Sequence, residues 1–151
     1  MTEAIDPKEE IIRLLRLPKA YLGTLAARDG GKYPFVSLVA PALDPGNYPL
    51  LLLSDLSDHV RNLAGDSKAS LLFDGTGSRD EPLTGPRVTL LGEVAVTGDA
   101  TDRAAYLARQ PGAALYADFK DFRFYRFTPR EALLVAGFGR IHRLSGSDLR
   151  A

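Results

Sequence analysis

The chain has no cysteine, no tryptophan, one methionine and only two histidines in 151 residues. Without cysteine there is no disulfide, no thiolate metal site and no cysteine nucleophile, and nothing in the composition requires an oxidising compartment. The expectation is a cytoplasmic protein. Two histidines fall short of any zinc or iron spacing, so no metal site is predicted. An excess of one charge is missing too. The 19 basic and 19 acidic residues cancel, so no general field draws the molecule to nucleic acid or to an anionic membrane. No apolar run approaches the roughly 20 residues of a membrane-spanning helix. The first 19 residues carry eight charges, from Glu3 to Lys19, and lack the apolar core of a signal peptide. There is no G-x-S-x-G hydrolase signature, and Gly75-Thr76-Gly77 lacks the strand-to-helix context of a phosphate-binding loop.

What is present reads as one domain, 1–151, with a hydrophobic content of 45% and enough length for a single core. Asp6-Pro7-Lys8-Glu9 is a helix start, with Asp6 as N-cap and Pro7 at the first helical position. Ile11, Leu14, Leu15 and Leu17 follow as an apolar stripe, so an N-terminal helix within 1–18 should pack on the core. From Tyr21 the period changes to two. Tyr21–Ala27, Tyr33–Leu43, Pro49–Leu53, Ala69–Phe73, Val88–Val96, Phe122–Phe127, Ala132–Gly137 and Phe138–Leu144 read as strands, with turns at Asp29-Gly30-Gly31 and Asp44-Pro45-Gly46-Asn47. Short helices are predicted over Ser57–Ala64, capped by Ser57 and burying Val60, Leu63 and Ala64, and over Thr101–Arg109, capped by Thr101. Asp74–Pro86 is the longest irregular stretch. The fold class is mainly β with short helices, an antiparallel small barrel. Leu50 to Leu53 is apolar on both faces, so this strand is covered twice, and a partner subunit is one candidate for the second cover.

Three places carry candidate chemistry. The first is Ser54 to Asn62, where a buried strand ends in hydroxyl residues and opens a capped helix. Free backbone N–H groups there suit an anion, and His59, Arg61 and Asn62 can add contacts to a phosphate. Equally, Asp58 and Arg61 are an i, i+3 ion pair on a solvated helix. The second is Arg87, Thr89 and Gly92, a possible ligand edge or an ordinary strand end with a bulge. The third is Arg140 and His142, two residues apart on one strand face, a positive pair suited to an acidic group or a solvated surface feature.

At these residues the sequence resembles the FMN-binding split barrels related to pyridoxamine 5′-phosphate oxidase, and within them the heme-utilization, HugZ-like branch. The resemblance runs from about Ala20 to Leu144 and rests on Pro34 to Val39, Ser54 to Leu63, Ala69 to Leu72, Pro86 to Gly92 and Gly137 to His142. It implies an FMN-binding split β-barrel that forms a homodimer with FMN at the interface, acting as an oxidoreductase on a small molecule. The cofactor would meet Val36, Ser37 and Val39 along its ring, Ser54, Asp55 and Leu56 at its edge, His59, Arg61 and Asn62 at its phosphate, and Arg87 and Thr89 on a further strand. Arg140 and His142 would hold substrate, and no side chain is assigned a catalytic role. The alternative is a non-catalytic flavin- or heme-binding protein, or a HugZ-like heme-degrading enzyme. The sequence departs from the true oxidases by lacking their basic residues near Pro34 to Val39 and at His59-Val60, which predicts weaker or pH-dependent FMN binding. If heme binds, His59 and His142 are the available axial ligands.

Overall fold

The first helix, α1 (Pro7–Leu15), is set by its cap: the Asp6 carboxylate accepts the N–H groups of Lys8 and Glu9, two of the donors that a helix start leaves unpaired. The computed structural model describes residues 6–151, so the first five residues of the predicted N-terminal segment lie outside the described residues. Ile11, Leu14 and Leu15 are fully buried, and Leu17, beyond the helix end, packs against the same core.

Eight strands follow: β1 (Ala20–Arg28), β2 (Gly31–Val39), β3 (Ala42–Leu43), β4 (Pro49–Ser54), β5 (Lys68–Asp74), β6 (Arg87–Val96), β7 (Phe122–Gly137) and β8 (Arg140–Ser145). Two further helices, α2 (Asp58–Gly65) and α3 (Ala100–Arg109), interrupt them. All pairings are antiparallel, and the order across the sheet is β2-β1-β5-β6-β7-β4-β3, with β8 on β7. This order explains the barrel. Its two ends, β2 and β3, are consecutive in the chain, so one bent segment pairs with β1 on one side and with β4 on the other. The bend is Ala40-Pro41, and proline cannot donate a ladder hydrogen bond there. The single strand predicted over Tyr33–Leu43 is therefore two strands. Conversely, the two strands predicted at Phe122–Phe127 and Ala132–Gly137 are one, β7, with its register to β6 shifting beside Gly92. Phe138-Gly139 is the tight turn into β8, with Gly139 at φ 76°.

The alternation along β1, β5, β6 and β7 puts Leu22, Leu71, Phe73, Val88, Leu90 and Leu134 in the barrel interior, where they are fully buried. Leu50 to Leu53 are all buried, but they divide between two clusters: Leu51 and Leu53 face the barrel, and Leu50 and Leu52 pack with Tyr106, Ala113 and Ala117. The second cover expected for this strand is thus α3 and the following turn of the same chain, not a partner subunit. Burial of each leucine in this way contributes about 1.5–3 kcal/mol.

The helix caps agree with the sequence in one case and correct it in the other. Ser57 caps α2, its Oγ accepting the Val60 N–H at 3.3 Å. For α3 the cap is Asp99, which accepts the Thr101 N–H at 2.7 Å, rather than Thr101. A carboxylate two residues upstream reaches the free N–H first. Along α2, Val60 and Leu63 are buried as predicted, but Ala64 is exposed and Asn62 is buried instead. The reason is a partner: the Asn62 amide donates to Thr24 Oγ1 of β1 at 3.1 Å, and a buried amide needs one. Among the described residues no helix is long and apolar enough to cross a membrane.

Candidate functional site

Where β2 bends away from β4, the two strands are not hydrogen-bonded to each other, and this split opens a cavity of about 230 Å³. Leu38 and Val39 of β2 with Ala40 of the bend form one wall and Leu52, Leu53 and Ser54 of β4 the other; Ser57, His59, Tyr106, Tyr116 and Phe122 close it. Among the described residues no Arg, Lys, Asp or Glu lines it.

The polar atoms at the Ser54 end already have partners. The Ser54 hydroxyl donates to Asp121 Oδ2 at 2.6 Å and accepts the Leu56 N–H at 3.1 Å. The Ser57 hydroxyl donates to the Ser54 carbonyl at 2.7 Å. Asp55 is paired with Arg123 at 3.2 Å, and Leu56 projects outward, 71% exposed. His59 is half-buried. Burial holds its imidazole below the ordinary histidine value despite the nearby Asp58 carboxylate, so it favours the neutral form. The Tyr106 hydroxyl donates to the Ala40 carbonyl at 2.6 Å. Tyr116 and Phe122 meet at a tilt of 50° with ring centroids 4.9 Å apart, and Phe124 meets Tyr106 edge-on at 5.5 Å.

Of the residues predicted from sequence, Val39, Ser54 and His59 meet in this cavity. Arg61 and Asn62 do not. They line a separate cleft with Arg28 and Lys32, where Arg61 pairs with Asp58 at 3.1 Å and donates to the Leu56 carbonyl at 3.0 Å. The i, i+3 ion-pair reading is the one realised. The anion cradle predicted at the start of α2 therefore reduces, at this cavity, to His59. Ser37 points inward, and its Oγ is buried with no hydrogen-bond partner among the described residues. Val36 lies on the outer face of the barrel, 68% exposed.

Arg87 and Thr89 belong to that outer face as well. The register runs Leu38, Tyr21, Leu72, Thr89, Leu133 and Arg143 in one cross-strand row, so Thr89 is three strands, roughly 14 Å, from the Leu38 wall. Arg87 is held by the Leu83 and Gly85 carbonyls at 2.8 and 3.2 Å. β8, with Arg140 and His142, pairs with the opposite end of β7 from β4. Within one chain these residues do not converge with His59.

The aromatic wall was not legible in the sequence. Tyr106 reads as one more apolar position of α3, and only its fixed hydroxyl and its place with His59 in the cavity lining mark it out. The electrostatics also bear on the FMN expectation. A phosphate carries close to two charges and seeks fixed cations, and the cavity lining offers one imidazole that favours its neutral form. These residues do not fit a phosphate. They do fit an apolar, planar group with an atom that accepts a neutral imidazole.

The CREG beta-barrel family model matches residues 16–149. The chain belongs to the CREG beta-barrel family. This CREG-type barrel is 36% identical over 138 residues to the non-canonical heme oxygenase HOZ, chloroplastic, of Arabidopsis thaliana, a match covering 88% of the chain and 41% of that protein. The solved structure of a heme binding protein from Mycobacterium smegmatis is 30% identical with a TM-score of 0.87, covering 98% of the chain and 61% of that structure. HutZ, described as the heme storage protein of Vibrio cholerae, shares the fold with a TM-score of 0.68 at 17% identity, over 89% of the chain and 96% of its own. The chain thus spans under half of the curated relative. The expected antiparallel split barrel is borne out, and so is the expected likeness to heme-utilization proteins and to proteins of the pyridoxamine 5′-phosphate oxidase-related fold.

Proposed function

We propose that this CREG-type barrel binds heme in the cavity at the barrel split, with His59 as the residue facing the iron. The observation that carries this reading is the cavity lining: a half-buried imidazole that favours its neutral form among Leu38, Leu52, Tyr106 and Phe122, with no fixed charge. A porphyrin face seeks apolar walls, and a neutral imidazole is the common protein ligand for its iron. The names of the relatives, a heme oxygenase and a heme binding protein, support the same class of ligand. Bound heme supplies redox chemistry at iron, and the protein supplies position and electrostatics. The chain's own contributions are to orient the imidazole from a capped helix, to hold Tyr106 in the cavity lining through its bond to Ala40, and to exclude water with aromatic side chains.

At about 230 Å³ the cavity is below the roughly 300–1,000 Å³ of sites that enclose a drug-sized ligand. It holds one edge of a macrocycle. We infer that a second copy closes it, seated on the outer face around Val36 and Leu38, which are 68% and 65% exposed and continue the cavity wall. Exposed apolar residues grouped beside a site mark an interface. Such a homodimer would bring a partner's outer face, bearing residues equivalent to Arg87 and Thr89, toward the ligand.

The test is a pair of absorbance titrations, with hemin and with FMN. Hemin is expected to give a saturable, shifted Soret band that His59→Ala changes in position, while free FMN spectra stay unperturbed. FMN bound tightly with no hemin response would overturn the reading in favour of the flavin. A Soret shift that is the same in His59→Ala would remove His59 from it.

A further inference from the structure

A second cavity lies on the other side of the Ala40-Pro41 bend. It measures about 280 Å³, with Leu15, Ala42 and Leu43 among its apolar lining and Arg16, Arg109 and Gln110 as its polar lining. Two helices end here: Arg16 is the C-cap residue of α1, and Arg109 is the last residue of α3. A basic residue at each helix C-terminus suits the helix dipole, which accounts for the arginines singly. It does not account for their sharing one cleft that, among the described residues, no acidic residue lines. Among the described residues neither forms an ion pair, so both guanidinium groups keep their charge available to a ligand.

The cleft is also braced. The Gln110 amide donates to the Pro18 carbonyl and to the Pro41 carbonyl, both at 3.1 Å, tying the end of α3 to the linker before β1 and to the β2–β3 bend. Two prolines restrict the same backbone. The site is therefore preformed, which lowers the ordering cost of binding.

We propose that this cleft binds a small carboxylic acid, with the carboxylate between Arg16 and Arg109 and the apolar body against Leu15, Ala42 and Leu43. A guanidinium pairs with a carboxylate through parallel N–H···O bonds, and the apolar lining adds burial that an inorganic anion cannot use. The carbonyl ends of α1 and α3 oppose an anion with about half a charge each, which two full guanidinium charges outweigh. This site is separate from the cavity at the barrel split, and its occupant does not depend on heme.

The experiment is a titration of the heme-free chain with sodium hexanoate, hexanol and inorganic phosphate, followed by proton–nitrogen correlation NMR of the Gln110 side-chain amide. Hexanoate is expected to shift that signal saturably, phosphate to bind at least tenfold more weakly, and hexanol to leave it unchanged. Arg16→Ala and Arg109→Ala should each weaken hexanoate about tenfold. Both side chains are exposed, so the variants keep the fold, which an unchanged thermal midpoint checks. Hexanol or phosphate binding as tightly as hexanoate, or a double Arg16→Ala, Arg109→Ala variant that still binds hexanoate normally, would overturn the proposal. Because no heme is present, a negative result in the hemin titration leaves this outcome intact.

Discussion

The Tyr106 hydroxyl donates to the Ala40 carbonyl across the mouth of the barrel split, at 2.6 Å. The contact links α3 to the bend that lets one segment pair with both edges of the sheet. Burial, reinforced by the nearby Tyr116 phenol, pushes the Tyr106 hydroxyl far above its ordinary pKa. An alkaline titration of tyrosinate absorbance should therefore show a late-ionising group that is missing in Tyr106→Phe. The same variant should lose about 1 kcal/mol of stability, the ordinary net worth of one hydrogen bond. A denaturant midpoint unchanged from wild type would contradict the second expectation.

Arg126 joins two carboxylates from different parts of the chain. It pairs with Asp44 at 3.1 Å and with Asp102 of α3, and both carboxylate side chains are only 3% exposed. Arg150 also reaches Asp44, at 2.9 Å, and lies over the Tyr48 ring. Arg126→Met should destabilise by about 3 kcal/mol, because it leaves buried carboxylates short of a partner. Burial alone would raise the Asp102 carboxyl, but hydrogen bonds from Thr97 and Arg126 outweigh it and hold the group below its ordinary value. A carboxylate with a lowered folded-state pKa contributes stability above its unfolded value, near 3.9, and loses it as pH falls through the folded value. Arg126→Met should flatten that acid limb in urea midpoints measured below about pH 4.

His59 has the opposite chemistry and the same sign. Its folded-state pKa lies below the ordinary value, so the unfolded chain binds the proton more readily. Stability linked to His59 is fully present above about pH 6.5 and declines as pH falls toward the folded value. His59→Gln should remove that slope just below pH 6.5 while leaving the midpoint at neutral pH nearly unchanged. Equal slopes in the variant and the wild type would show that the imidazole is not desolvated.

The outer face gives a prediction about assembly. If Val36 and Leu38 seat a second copy, sedimentation should give twice the chain mass for the wild type, and Leu38→Asp should shift it to the monomer. Leu38 is 65% exposed in the single chain, so the substitution has little effect on folding of one copy. A wild type that sediments as a monomer at high micromolar concentration would remove the partner from the proposed site.

Much of the fold follows from local rules that a single sequence displays. The Asp6 and Ser57 caps, the Asp29-Gly30-Gly31 hairpin and the alternation through β1, β5 and β6 are each settled by residues close in the chain. The doubly apolar Leu50 to Leu53 announced two covers. Which element supplied the second one was decided only when α3 folded back over β4, a contact between residues some fifty positions apart.

The candidate site divides in the same way. Ser54 and His59 were legible because a strand ending in hydroxyls and a capped helix lie within six residues. Arg61 and Asn62 sit on the same short helix as His59, yet the structure turns them to another cleft, because Asn62 finds Thr24 and Arg61 finds Asp58. Helix periodicity fixes directions around an axis, but which direction faces the split is set by how the helix packs. Tyr106, Tyr116 and Phe122 became a wall only through closure of the barrel at Ala40-Pro41. By itself, then, the sequence determined strands, caps and turns, whose causes are local. Tertiary structure decided the closure, the second cover of β4 and the company His59 keeps, because each depends on pairing between distant segments.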